Sequence, residues 1–448
     1  MKLTIFQSDK GDSVLLTGDD GRRMLVDGGM RDSFTRHVSP TLNHLHAQGG
    51  KLDVVYVSHI DEDHISGVLQ LMDDLVEWRV HEFHLSNGNA DHPEPESLRP
   101  PEVKAIWHNA FHEQVGKNAG EIKDMLAATA TVLSGADTKV VKALAEFHSD
   151  LATSTAQAIQ LSRRVGPKQL NIDLNPAFQG KLMLVDGHKA IKLGGMSLFV
   201  IGPFDIDLKN LRDEWNTWLK EHQTQLKKIS AQAKADEEEL GNSAINQIIQ
   251  PALAQAKELG KVLLSQLPQA SGKVLGRRKM VTTPNLASLM FLVEEKGKTL
   301  LLTGDGHADD ILKGLAHYGK LDANGGIHVD VLKVQHHGSE HNLHRHFARS
   351  VTADNYVFCG NGAHENPDLD VVEAIIDSRL TAGEKSGNPQ VSNPFKLWFN
   401  SSSSNTETAQ QNADHMAEVE SLVRQMAKQS KGKMKFTFLK GHKMELTV

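Results

Sequence analysis

Cysteine is almost absent. Cys359 stands alone in 448 residues, which excludes an intrachain disulfide and fits a reducing compartment. Aromatics are scarce as well, at 5%, so a core has to be built mainly from Leu, Val, Ile, Ala and Met. No apolar run reaches the length that spans a bilayer, and the opening run at residues 3–6 is too short for a secretory signal. Excess positive charge is also lacking. The formal net charge is −7, which weighs against a partner held through phosphates alone, although residues 273–279 and 428–443 are locally basic. Together these absences lead us to expect a soluble, cytoplasmic protein that does not engage a membrane.

What remains is ample material for a globular core: 39% hydrophobic and 23% charged residues over a length that allows several domains or one with an insertion. Short apolar runs at 3–6, 13–16 and 24–26, separated by Asp and Gly, read as a β-meander. The uninterrupted run at 53–57 reads as a strand buried on both faces. It ends in Ser58-His59, and Val68, Leu69, Leu71, Met72 and Leu75 then recur at helical spacing. Stretches 103–164 and 208–267 are rich in Ala, Lys, Glu and Gln and read as helical, around a strand-like patch at 182–185 and 196–201. Strand character returns at 288–293, 299–302, 329–334 and 356–358, the first two as a hairpin around Lys296-Gly297-Lys298. The run Ser401-Ser402-Ser403-Ser404 reads as a linker or exposed loop. A helix at 414–429 and strands at 435–439 and 444–448 follow.

The histidines, 24 in all, carry the chemistry. His59-Ile60-Asp61-Glu62-Asp63-His64 places four potential ligands within one turn after a buried strand, and imidazole and carboxylate are the donors of hydrolytic divalent-metal sites. The bland reading is a surface loop rich in His and Asp. Gly67 and the amphipathic helix that follow argue against it.

This motif resembles the metallo-β-lactamase superfamily, whose hallmark is His-x-His-x-Asp-His at such a turn. With Asp61 in place of the second histidine it looks like the ComEC-type branch, the soluble domain of bacterial competence DNA-uptake proteins and its free-standing relatives. Gly11-Asp12-Ser13-Val14-Leu15-Leu16, Leu25-Val26-Asp27-Gly28-Gly29, Asn285-Leu286-Ala287-Ser288, Leu301-Leu302-Thr303-Gly304-Asp305 and Val331-Leu332-Lys333-Val334-Gln335-His336-His337-Gly338-Ser339 extend the resemblance in family order. It implies an α/β fold, an αββα four-layer sandwich with a largely helical insertion. The expected halves of that domain are residues 1–95 and 283–400, the insertion 96–282, and a C-terminal linker, helix and strands 401–448.

The resemblance also implies roles. His59 and Asp61 would hold one divalent cation, Asp63 and His64 the other, with Asp305 bridging and Asp27 orienting the turn. The last ligand is open between His364 and Asn366, and ligand chemistry favours His364. His84 and His92 read as surface or packing residues. His336 and His337 suit either proton transfer or a fixed turn that contacts phosphate. His341, His344 and His346 read as bystanders or substrate contacts, and Cys359 as a core residue.

Two cations about 4 Å apart activate water without a serine or cysteine nucleophile. Asp61 adds a hard oxygen donor, which makes Mn²⁺ more competitive against Zn²⁺. The expectation is therefore a hydrolase of phosphodiesters, nucleic acid included, with Asp63, His336 and His337 in catalysis. A lactonase, amidase or thioesterase is the rival enzyme, and a non-catalytic metal-binding interaction module the rival of another class.

Overall fold

Turn residues that close short apolar runs set the order of the first sheet. A computed structural model describes residues 1–109, 157, 160–162, 164–185, 189–206, 275–276, 287–380, 390, 393–405 and 407–448. β1 (Lys2–Phe6), β2 (Val14–Thr17) and β3 (Arg23–Val26) form an antiparallel meander in which Ile5 opposes Val14 and Val14 opposes Val26. After Asp27-Gly28-Gly29 the chain runs through α1 (Arg31–Ser33), a π-helical turn (Phe34–Val38) and α2 (Ser39–Ala47). It returns as β4 (Val54–Tyr56), parallel to β3 and wholly buried. α3 (Glu62–Ser86) follows, a longer helix than the spacing of 68–75 foretold. β5 (Ala105–Trp107) and β6 (Asp173–Leu174) extend the sheet in parallel.

The second sheet starts with the hairpin β7 (Ile191–Leu193) and β8 (Met196–Gly202), turning at Gly194-Gly195. β9 (Met290–Glu295) and β10 (Lys298–Leu302) form the expected second hairpin. Its two turn residues, Lys296 and Gly297, both have positive φ (50° and 78°), the conformation that matches the twist of paired strands. α4 (Ala308–His317), β11 (Ile327–Lys333), α5 (Arg345–Ser350), β12 (Val351–Phe358), α6 (Leu369–Leu380), β13 (Phe395–Phe399), α7 (Gln410–Gln429) and β14 (Met434–Phe438) complete it, with β10 to β14 all parallel. β15 (Lys443–Thr447) then crosses to the first sheet and pairs with β1. The orders are β15-β1-β2-β3-β4-β5-β6 and β14-β13-β12-β11-β10-β9-β8-β7.

Alternation along these strands divides the core. Leu300 and Leu302 of β10 and Phe291 and Val293 of β9 pack with Leu3, Ile5, Tyr56 and Trp107 of the first sheet. The intervening Leu301 and Leu292 pack instead with Ile311, Leu315, Phe347, Val372 and Val419 of α4 to α7. Phe34, Leu42, Ile65, Val68 and Met72 cover Val55 and Ile106 of the first sheet. The molecule is a mixed α/β fold with two sheets and several helices. Continuous apolar runs form strands here because both strand faces are buried.

Several expectations need correction. Residues 182–185 are not a strand; Val185 N–H donates to Pro203 O at 3.0 Å from an irregular segment. The serine run is not an exposed linker. Ser401 and Ser402 are buried, and Ser403 donates through both N and Oγ to Glu420 Oε1 of α7. Within 96–282, β5 and β6 belong to the first sheet and β7 and β8 to the second. Most of 103–164 and all of 208–267, read as helical, lie outside the described residues, as does Asn285. Among the described residues no helix is long and apolar enough to cross a membrane.

Candidate metal centre

The end of β4 is pinned before any ligand appears. Val57 N–H donates to Trp107 O at 2.9 Å, and Ser58 donates through N and Oγ to the two carboxylate oxygens of Asp27 at 2.7 and 2.8 Å. Ser58 O accepts Leu289 N–H at 2.8 Å, so the two sheets meet at this residue. Asp61 keeps an extended backbone (φ −62°, ψ 144°), while His64 N–H and Ile65 N–H donate to its carbonyl as α3 begins. The change from extended to helical backbone is what lets His59, Asp61, Asp63 and His64 face one point. α3 sits close against the neighbouring loops. A Cβ on Gly67 would lie 2.2 Å from Gly28 O, and one on Gly11 would lie 1.8 Å from Asp63 O, so glycine is required at both contacts.

Four imidazoles converge on one buried carboxylate. Nε2 of His64 lies 3.4 Å from Asp305 Oδ1, and Nε2 of His59, His336 and His337 lie 3.7, 3.6 and 3.7 Å from Asp305 Oδ2. Asp61 Oδ2 stands 3.5 Å from His59 Nε2, and Asp63 stands 3.2 Å from His337 Nε2 and 3.9 Å from His64 Nε2. His59 Nε2, His64 Nε2, His337 Nε2 and Asp305 Oδ1 are buried atoms with no hydrogen-bond partner. Donors about 2.1 Å from a shared cation at tetrahedral angles stand about 3.4 Å apart. The spacings to Asp305, 3.4 to 3.7 Å, are those of ligands around a common ion, and four of these buried atoms lack a hydrogen-bond partner, so the residues present fit a divalent metal.

Behind the rings a second rank holds each imidazole by its other nitrogen. His64 Nδ1–H donates to Asp27 Oδ2 at 3.0 Å, and His337 Nδ1–H to Cys359 O at 2.7 Å, with Asp12 Oδ1 at 3.1 Å. Ser58 Oγ, its own proton given to Asp27, accepts from His59 Nδ1 at 3.0 Å. Asp12, His64, Asp305 and His337 cluster within 4.8 Å. Asp12 contacts both rings on the Nδ1 side, His64 at 3.8 Å, and so acts as an orienting group rather than a ligand facing the centre. Lys333, at the end of β11, forms a buried ion pair with Asp12 and reaches Asp305 Oδ1 at 4.0 Å.

The electrostatics are those of an anionic cluster. Burial lowers the proton affinity of the His64 and His337 rings, but Asp305 leads several carboxylates that reverse this, pushing His337 up to about 10 and His64 well above its usual range. Burial pushes the Asp305 and Asp63 carboxyls up, and neighbouring imidazoles, His64 first, outweigh it and hold both well below the usual range. For Lys333, burial is overcome by Asp12 and Asp305, so its ammonium is held protonated. His336 differs: burial outweighs Asp305 and lowers its proton affinity.

His59, Asp61, Asp63, His64 and Asp305 are thus brought together, and so are His336 and His337. His364 is not. The 3₁₀ turn Ala363–Glu365, entered through Gly362 at φ 93°, leaves its side chain exposed, and Asn366 is buried in the same loop. His336 and His337, just past the end of β11, face Asp305 instead. His84 and His92 stack on each other at 4.1 Å near the C-terminus of α3, about 30 Å along that helix from His64. His307 and His344 cap α4 and α5 by accepting Asp309 N–H and Phe347 N–H. His346 is exposed, stacked on His344 at 5.9 Å. Cys359 is buried, as expected, and burial raises its thiol. Sequence reasoning gave no role to Asp12, Lys333 or Asn342, although the first two stand inside the motifs it quoted. It also passed over His108, which follows β5 and is buried.

Residues 9–117 match the family model described as the metallo-beta-lactamase superfamily. The matched segment contains Asp12, Asp27 and the turn from His59 to His64 and ends before Asp305 and the paired histidines. No curated protein matches the chain. The match and the buried donor cluster both support this fold family and divalent-metal binding.

Proposed function

We propose that this chain is a metal-dependent hydrolase of the metallo-β-lactamase superfamily, of its ComEC-type branch, which cleaves phosphodiesters, nucleic acid among them, with two divalent cations, Zn²⁺ or Mn²⁺. The observation that carries the reading is the convergence of four imidazole Nε2 atoms on Asp305, each ring anchored through Nδ1. The three packed clusters, helices outside and sheets between, suit the αββα four-layer sandwich of that family.

Charge supports the count of two. With the imidazoles neutral, as metal ligation requires, Asp12, Asp27, Asp61, Asp63 and Asp305 bring five carboxylates and Lys333 one ammonium, leaving four negative charges that two divalent cations would balance. A bound pair supplies Lewis acidity toward an ester oxygen and brings the pKa of water to about 7. The chain's own residues do the rest. Asp63 stays ionised beside His64 and His337, and Asp305 faces both groups of donors. Asp12 and Asp27 keep the rings turned toward the centre. Asp61, a hard oxygen donor one-third exposed at the rim, favours Mn²⁺ over a purely imidazole set and leaves room for a substrate's own phosphate oxygen.

Purified protein supplied with Mn²⁺ is expected to cleave bis-p-nitrophenyl phosphate, DNA or RNA, and Asp63→Ala to abolish turnover. Failure on all three, with turnover of lactones, amides or thioesters instead, assigns the rival enzyme class. A fall in melting temperature for Asp63→Ala, with no turnover by the wild type on any substrate, assigns the structural role.

A further inference from the structure

The basic stretch at 428–443 has no part in the metal centre, yet the fold brings one end of it there. β10 to β14 run parallel, so residues after β14 emerge at the same end of the second sheet as Asp305 and the paired histidines, which follow β10 and β11. Lys440, His442 and Lys443 stand at that end, whereas Lys428, Lys431 and Lys433 precede β14 at the other. Contacts hold the loop in place. His442 O accepts Gln7 N–H at 2.9 Å, at the head of the loop that delivers Asp12, and one Nδ1–H joins the His442 and His37 rings at 2.7 Å. His37 Nε2–H donates to Glu407 Oε2 at 2.8 Å, and Lys443 Nζ donates to Thr41 Oγ1 at 3.1 Å.

Two more cations border this loop. Lys10 lies on the Asp12 loop itself, one residue before Gly11, which sits too close to Asp63 O to carry a Cβ. Arg36, on the π-helical turn, reaches Glu407 at 3.3 Å. Lys440 and Lys443 are exposed and Lys10 partly so, and none of the three forms an ion pair among the described residues. The carboxylates beside them are engaged: Asp9 accepts from Asn361 Nδ2, and Glu407 is shared by Arg36 and His37. α7 opens onto the same place. Its first turn packs on the loop after β12, where a Cβ on Gly362 would lie 2.1 Å from Asn412 O. Ala409 offers no side-chain cap and no acidic residue stands in that turn, so the positive end of a 20-residue helix is left open.

A centre whose carboxylates are balanced by its ions has little net charge with which to hold the phosphates on either side of the bond being cut. We infer that Lys10, Arg36, Lys440, Lys443 and the N-terminus of α7 form a basic rim that holds the backbone of a polynucleotide and leads it to the metal centre. The inference rests on the hydrolase reading above and narrows its substrate from phosphodiesters at large to a chain of them. Contacts of this kind position a strand without reading its bases. On a chain of net charge −7, the placement of these groups rather than their sum supplies the attraction.

Fluorescence anisotropy of a labelled single-stranded phosphorothioate DNA, which resists cleavage, measures binding to Mn²⁺-loaded protein between about 50 and 200 mM KCl. Four cations on a single strand predict that log Kd rises with log salt at a slope of about 3. Lys440→Ala/Lys443→Ala is expected to bind at least ten-fold more weakly at the lower salt, to lose about 1.4 of that slope, and to cleave bis-p-nitrophenyl phosphate like wild type. Lys51→Ala/Lys168→Ala removes the same charge from exposed sites ahead of β4 and β6, at the far end of the first sheet, and is expected to bind like wild type. Wild-type affinity in the rim variant, or an equal loss in both double variants, overturns the rim. So does a wild type that cleaves bis-p-nitrophenyl phosphate and does not bind the DNA. A wild type that binds the DNA through Lys440 and Lys443 and cleaves no phosphodiester upholds the rim and overturns the hydrolase reading.

Discussion

Asp12 and Asp27 each stand behind an imidazole whose far nitrogen faces the centre, and Lys333 balances the more crowded of the two. Residue types alone made the stretch from His59 to His64 legible as a ligand set, because four donors in one turn have few other uses. They did not reveal Asp12 or Lys333 as parts of the site. Those roles exist only once β2 and β11 are placed beside the turn, and an isolated Asp after Gly or a Lys at a strand end has an ordinary surface reading. A buried carboxyl outside the centre shows the same dependence on environment. Asp74 on α3 is 4% exposed, and burial pushes its carboxyl from 3.8 up to about 6, against the hydrogen bond that Gln70 donates at 2.6 Å. Between about pH 4 and 6 the folded state then holds more proton than the unfolded chain, so this group's contribution to stability falls as pH rises through that window. Asp74→Asn is expected to match wild type below pH 4 and to exceed it by about 1 kcal/mol above pH 6, after allowance for solvent screening. Urea unfolding at pH 4 and pH 8 checks this, and an equal effect at both would refute it.

At the scale of elements, strands that alternate or run apolar between turn residues were readable: β1 to β4 and β9 to β11 fall where the pattern put them, while β12 begins at Val351, five residues before the run at 356–358. β5 is three residues long and offers no period to detect. β13 reads Phe-Lys-Leu-Trp-Phe, a run with clear strand preference just ahead of the serine run that was passed over. The last ligand was expected after β12, as His364 or Asn366 with ligand chemistry favouring His364, but the His364 side chain is exposed there, whereas His336 and His337 after β11 face Asp305. The contact of α3 with the Gly28 loop fixes where His64 lies. Gly67→Ala places a Cβ 2.2 Å from Gly28 O, so α3 must move. We expect a loss of about 2 kcal/mol of stability together with weaker Mn²⁺ binding. Gly441→Ala, which meets nothing within 4 Å, is expected to change neither. Thermal melts and Mn²⁺ titrations of the two variants report both quantities, and wild-type metal affinity in Gly67→Ala would show that α3 does not position the ligands.

Across the whole molecule the donors divide between the sheets. Asp12, Asp27 and the turn from His59 to His64 follow strands of the first, and Asp305, His336 and His337 follow β10 and β11 of the second. A cation there ties the sheets together at the end where Ser58 and Leu289 already join them. The central claim is that this convergence holds divalent metal, and metal content with melting temperature measures it most directly. Protein purified without added metal, analysed by mass spectrometry and melted before and after chelation, is expected to carry about two divalent ions per chain and to lose stability when they are removed. Asp305→Asn is expected to carry fewer ions and to melt alike with and without chelator. A wild-type chain free of metal, whose melting temperature does not respond to Mn²⁺ or Zn²⁺, would contradict the account.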